Sequence, residues 1–281
     1  MPYHKKLALV ASTVAATAIA IFSTSAVAAD DDSKFEMVGI RLGMTPEQVV
    51  PVLKAHGIGG DRIYESRMAY SYSDGINHGL KTDDFLARIT ASKVEVLGNK
   101  RRDDSFELFF SPPPAGGKLV GVQRVIFNNV DPITGGQFRQ ALVDKYGSTS
   151  DATTGILNWK FGGGDMNCLS TNPKGVNVSL PSTDLRQKRG ILDMVYRKAG
   201  GGKYRLDLFL HSRVKDLAQC ASMLEYRLGT SKDNQPASRV EATMIDVQSW
   251  VKAELAANER VDKLRSEAVE KRVGKGNKPS L

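Results

Sequence analysis

The chain has 281 residues, with 39 Lys and Arg against 31 Asp and Glu for a formal net charge of +8, and 41% apolar and 25% charged residues. That balance is ordinary for a globular protein and excludes a disordered or fibrous chain. Past residue 28 no run approaches the roughly 18 uninterrupted apolar residues of a membrane span, so no transmembrane segment is expected in the mature chain.

Residues 1–28 read as a cleavable signal peptide. His4, Lys5 and Lys6 form a basic start, residues 7–22 an apolar run, and Ala26-Val27-Ala28 a small-residue cleavage site, followed by Asp30, Asp31 and Asp32. The alternative is a retained anchor, for which the run is short and threonine-rich. No Cys lies near the cleavage point to carry a lipid, so the product is expected free in the periplasm or secreted, with a net charge of +6 once Lys5 and Lys6 are gone.

The clearest organisation downstream is an internal repeat. Thr45 reads as a helix N-cap, with Pro46 at the first helical position, Gln48 closing a capping box, and Met44 and Val49 as a hydrophobic staple. Ile133-Thr134-Gly135-Gly136-Gln137-Phe138 repeats that grammar without the proline, 89 residues later. Leu53 then matches Leu142, and the two helices are predicted to end at Gly57 and Gly147. Pro51 predicts a kink or a short first helix. The same offset carries Met68, Tyr70 and Tyr72 onto Leu157, Trp159 and Phe161, a period-two aromatic pattern that predicts a half-buried strand facing its own helix.

Each copy is predicted to end in a hairpin, residues 105–110 with 119–127, and residues 191–197 with 204–214, around loops that both finish Gly-Gly-Lys. Helices follow. Residues 215–228 carry Leu217, Cys220, Ala221 and Leu224 at helical spacing, and Ser238-Arg239-Val240-Glu241 reads as a capping box for a long helix striped by Val240, Met244, Val247, Val251 and Leu255. The predicted fold is α+β: two tandem helix-plus-antiparallel-sheet units at 35–130 and 131–214, C-terminal helices at 215–272, and a mobile tail at 273–281.

The stretch Gly39-Ile40-Arg41-Leu42-Gly43-Met44-Thr45-Pro46-Glu47-Gln48-Val49, with Leu53 and Gly57 after it, resembles the opening of the bacterial envelope domains of the SmpA/OmlA and β-lactamase-inhibitor-protein-like group. Leu142, Gly147 and Trp159 resemble the later positions of such a unit. The resemblance implies two tandem helix-plus-sheet units and an extracytoplasmic binding role. It carries over no partner-contact residue, and the C-terminal helices have no counterpart in it.

No constellation of catalytic residues stands out. The mature chain holds only His56, His78 and His211, none at metal-ligand spacing with another His or Cys, and no nucleophile elbow, zinc-protease motif or P-loop occurs. Gly162-Gly163-Gly164-Asp165 lacks the Lys-Ser/Thr of a phosphate loop and reads as a turn. Asp83 with Asp84, and Asp103 with Asp104, read as solvated loop acids. Neither metal nor cofactor is expected, and the enzymatic alternative is an envelope hydrolase whose site assembles only in three dimensions, gathering His211 or His78 with a carboxylate.

In an oxidising compartment Cys168 and Cys220, the only cysteines, are expected to form a disulfide worth about 4 kcal/mol in the chain-entropy model; a nucleophilic Cys168 is the alternative. Nucleic acid is not an expected partner, because the charge is modest and no basic-aromatic motif is present. Lys271, Arg272, Lys275 and Lys278 raise contact with an anionic envelope surface, peptidoglycan or lipid; the plainer reading is a solvated helix end.

If Leu206, Leu208 and Leu210 face the core, strand alternation puts Arg205, Phe209, His211 and Arg213 on the opposite sheet face, and Phe109 among Phe106, Leu108 and Phe110 sits similarly. An exposed Phe flanked by Arg has the composition of an interface hot spot. The alternative is that the C-terminal helices cover this face. The sequence therefore reads as a non-enzymatic envelope binding protein whose partner is another envelope protein.

Overall fold

The computed structural model describes residues 34–153, 155–164, 169–170, 175–176 and 221–274. The predicted signal peptide, the second predicted hairpin, both cysteines and the last seven residues lie outside the described residues.

Helix α1 (Pro46–Ala55) starts where its capping grammar predicts, with the Thr45 N–H donating to Gln48 Oε1 at 2.9 Å. It is ten residues long, includes Pro51, and gives way to Gly57 at φ 89°. The chain continues through β1 (Ile63–Met68), the short β2 (Ser71–Tyr72) and β3 (Leu80–Lys81), and the long strands β4 (Phe85–Leu97), β5 (Lys100–Phe110) and β6 (Leu119–Asn128). Helix α2 (Gly135–Tyr146) repeats the capping box: Thr134 Oγ1 accepts from the Gln137 N–H, and Gln137 Oε1 accepts from the Thr134 N–H. Replacing Thr134 by alanine removes that cap and is expected to cost about 1 kcal/mol in urea unfolding. After it come β7 (Asp151–Thr153), β8 (Ile156–Phe161), the small pair β9 (Leu169–Ser170) and β10 (Gly175–Val176), then β11 (Ser222–Leu228), β12 (Arg239–Asp246) and helix α3 (Val247–Gly274).

Eight strands form one antiparallel sheet in the order β1-β4-β5-β6-β12-β11-β8-β7. The fold is α+β and mostly sheet. Each half runs from a rim strand inward after its helix: α1 precedes β1, β4, β5 and β6, and α2 precedes β7, β8, β11 and β12. The halves meet where β6 pairs with β12. The predicted hairpin at 105–110 and 119–127 is β5 with β6.

Two predicted segments differ. The sequence predicts helices at 215–228 and from Ser238 onward within 215–272, but 222–228 and 239–246 are strands, so the second half of the sheet extends to residue 246 and one C-terminal helix follows, while residues 215–220 lie outside the described residues. The centre of β11 is buried on both faces, which hides its period-two pattern. At β12 the expected capping residue Glu241 binds its own strand neighbour, accepting from Arg239 Nε at 3.0 Å. The true cap of α3 is Asp246, whose Oδ1 accepts from the Ser249 N–H at 2.8 Å.

The second difference concerns the 89-residue offset. Trp159 on β8 does face its helix, donating from Nε1 to the Gly147 carbonyl at 2.9 Å. The place of β8 in the sheet order is taken in the first half by β4, with Ile89 and Ala91 buried, whereas residues 68–72 straddle the end of β1 and β2. The cause is the excursion carrying β2 and β3 between β1 and β4, whereas β7 and β8 follow each other closely in the chain.

The core lies between the sheet and the pair α1 and α2. A row of directly paired residues crosses six strands, Ile89, Leu108, Val122, Met244, Leu224 and Trp159, none more than 2% exposed. Val49 and Leu53 of α1 and Leu142 and Tyr146 of α2 close over it. Helix α3 lies on the other face. Its Trp250 stacks on Phe109 at 5.5 Å and covers Gly121, where a Cβ would meet the indole at 2.7 Å. A strand glycine here is what allows the ring to approach the backbone. Farther along, Ala257 and Val261 come beside Tyr70 and Phe85, and Arg272 Nε donates to the Asp74 carbonyl at 2.9 Å. None of the helices among the described residues is long and apolar enough to cross a membrane.

Candidate functional site

Of the residues predicted to bind a partner, Arg205, Phe209, His211 and Arg213 lie outside the described residues. Phe109 does sit on the face opposite Leu108, but it is 8% exposed because Trp250 covers it. At that position the C-terminal helix covers the sheet, and Phe109 is a packing residue of α3 rather than an exposed anchor. The expected disulfide of Cys168 with Cys220 also lies outside the described residues.

The catalytic alternatives resolve in part. His78 is exposed. Asp103 and Asp104 belong to β5 rather than to a solvated loop, and strand alternation sends them to opposite faces. Asp103 binds Arg101 on the face away from α1 and α2. Asp104 enters the core, where Arg124 grips it with two bonds, Nε to Oδ1 at 2.8 Å and Nη2 to Oδ2 at 2.7 Å, and His56 Nε2 lies 2.7 Å from Oδ2. Burial alone would push the Asp104 carboxyl up, but the Arg124 guanidinium, with His56, holds it below the usual carboxylate range. The Phe106 ring closes one side, with the guanidinium carbon of Arg124 5.1 Å from its centroid. This cluster ties α1 to β5 and β6 and is a structural junction. Among the described residues no group of three or more His, Cys, Asp or Glu is placed to hold a metal.

Among the described residues several concavities open, two of them beside the sheet. The larger, about 520 Å³, opens between the N-terminal ends of α1 and α3 and is lined by Gln48 and Asp246 among others. Both side chains are already committed, Gln48 to the Thr45 N–H and Asp246 to the Ser249 N–H. The smaller, about 260 Å³, lies across β1, β4, β5 and β6. It is made by two adjacent rows of the face not covered by α1 and α2: Tyr64, Thr90, Glu107 and Gln123 in one, Ser92, Ser105 and Val125 in the other. Alternation explains its chemistry. Ile89 and Ala91, or Phe106 and Leu108, point to the core, so the polar residues between them point outward.

Polar bonding on this face is incomplete. Glu107 Oε2 accepts from Arg88 Nη1 at 3.2 Å, but Gln123, 6% exposed, has its Oε1 shielded from solvent without a partner among the described residues. Asp103 Oδ1 and Asn158 Oδ1 are in the same condition, and by strand alternation both residues belong to this face. All three atoms are acceptors. Farther across, burial pushes the Glu225 carboxyl up against the pull of Arg227.

The same face carries apolar side chains that no helix among the described residues covers. Tyr64 is 58% exposed, Val94 51% and Val96 66%. Phe127 lies beside them with the Arg101 guanidinium 5.9 Å from its ring centre. None of Tyr64, Gln123, Val94 or Val96 was singled out from the sequence. A signal was present in residues 89–96, where apolar residues shift from odd positions, Ile89 and Ala91, to even ones, Val94 and Val96. No family model, curated protein or solved structure matches this chain.

Proposed function

We propose that this chain is an exported, non-enzymatic binding protein of the bacterial cell envelope that takes a partner protein on the outer face of its sheet, away from α1 and α2. The carrying observation is that Tyr64, Val94 and Val96, each more than half exposed, all lie on that one face, next to Phe127 and Arg101. Aromatic, aliphatic and Arg side chains gathered on a rigid surface are the composition of an interface centre. The two helix-plus-four-strand halves are read as copies of one unit, in keeping with their shared capping boxes and mirrored strand order.

The test is affinity capture by the mature protein from an envelope extract. The Tyr64→Ala, Val96→Asp double variant is expected to hold at least about tenfold less partner than the wild type, as for loss of an interface anchor. Lys54→Ala, on the exposed side of α1, should capture normally. Undiminished capture by the double variant would exclude this face.

A further inference from the structure

We infer that the groove across β1, β4, β5 and β6 seats a tyrosine side chain presented by the partner, with its phenol hydroxyl donating to Gln123. The inference rests on the partner-binding reading of this face and names what the groove selects.

The first argument is the unpaired carbonyl. Gln123 lines the groove, and its Oε1, shielded from water, lacks a donor among the described residues, so a ligand whose entry turns that amide toward the groove and supplies a donor recovers a hydrogen bond the free protein lacks. The second is charge. The carboxylate in the groove, Glu107, is already matched by Arg88 at 3.2 Å, and the other charged residue lining it is Arg62, whose ion-pair partner among the described residues is the exposed Asp61 at 3.8 Å. A lysine ammonium would find no unmatched carboxylate and would face Arg62. A carboxylate or phosphate could pair with Arg62, but it has no proton to donate to the Gln123 carbonyl and would face Glu107 as well. The donor must be neutral.

The third argument is shape. The cavity of about 260 Å³ is below the usual range for drug-sized ligands and suits a single large side chain. Tyr64 and Val125 supply apolar wall. A large apolar body with a neutral donor at its tip is the description of tyrosine. Buried acceptors discriminate strongly against ligands that lack the matching donor, so phenylalanine should be a poor substitute.

The experiment uses the mature protein and four probes, N-acetyl-tyrosinamide, N-acetyl-phenylalaninamide, N-acetyl-lysinamide and N-acetylglucosamine, titrated while the Gln123 side-chain amide and the Thr90 and Ser105 backbone amides are followed by NMR. The tyrosine probe is expected to move these resonances and to bind about tenfold more tightly than the phenylalanine probe, and the Gln123→Leu variant should erase that difference. The wild-type comparison stands even if the variant fails to fold. Equal binding of the phenylalanine probe, tighter binding of lysine or sugar, or no response to any probe overturns the inference. If the probes fail while the Tyr64→Ala, Val96→Asp variant loses capture, only the tyrosine assignment falls. If that variant captures normally, the reading of the whole face falls with it.

Discussion

Replacing Arg124 by alanine is expected to destabilise the protein by about 3 to 5 kcal/mol in urea or guanidinium unfolding, because it leaves the Asp104 carboxylate in the core with only His56 beside it. The penalty is that of an orphaned charge, not the net worth of the pair. Replacing Arg124 and Asp104 together by leucine should therefore cost much less than the single change, and a double-mutant cycle would show strong coupling. The pH dependence has a definite sign. Asp104 titrates below the usual carboxylate range in the folded state, so its contribution is fully present above its unfolded pKa and is lost as pH falls through the folded value. Asp104→Asn should flatten the acid limb of the stability curve. An acid limb unchanged by that substitution would mean the cluster contributes nothing to acid stability.

The second large effect is expected at Trp250. Truncating it to alanine removes the ring that stacks on Phe109 and fills the space over Gly121, at a cost of about 3 to 5 kcal/mol. Two effects compete here. If α3 settles onto the glycine, the cavity term shrinks; if it cannot, the helix loosens from the sheet. Buried Glu254 and Asn258 on the same helix argue for loosening, since closer approach would press polar groups onto the sheet. Limited proteolysis should then cut α3 well before the strands. Resistance equal to the wild type would show that α3 is held elsewhere, for example by Arg272 at Asp74.

Helices α1 and α2 were legible because their signal is local. A capping box is a set of bonds among residues three apart, and the bonds of Thr45 with Gln48 and of Thr134 with Gln137 form where the sequence places them. The same grammar misled at Ser238, where Glu241 found a partner two residues away on its own strand and tertiary pairing with β6 and β11 decided the conformation. Residues 222–228 and 239–246 read as helical because apolar groups four apart can also arise in strands buried on both faces. The groove was not legible. It needs Tyr64, Thr90, Glu107 and Gln123 side by side, and only the strand order puts residues separated by up to 59 positions in one row. The split of Asp103 from Asp104 was hidden for the same reason.

The seam between β6 and β12 has a consequence for how this molecule can be divided. Each of these strands is the inner margin of its own half, and each finds its last hydrogen-bonding neighbour only in the other. A fragment ending near residue 130 would carry a long bare margin, half of whose residues are buried in the intact sheet, open to any passing strand. The fragment after it would carry the matching margin, together with the helix that clamps back over Gly121. The two halves thus share one continuous sheet. The breadth of the outer surface depends on their staying joined through this one pairing.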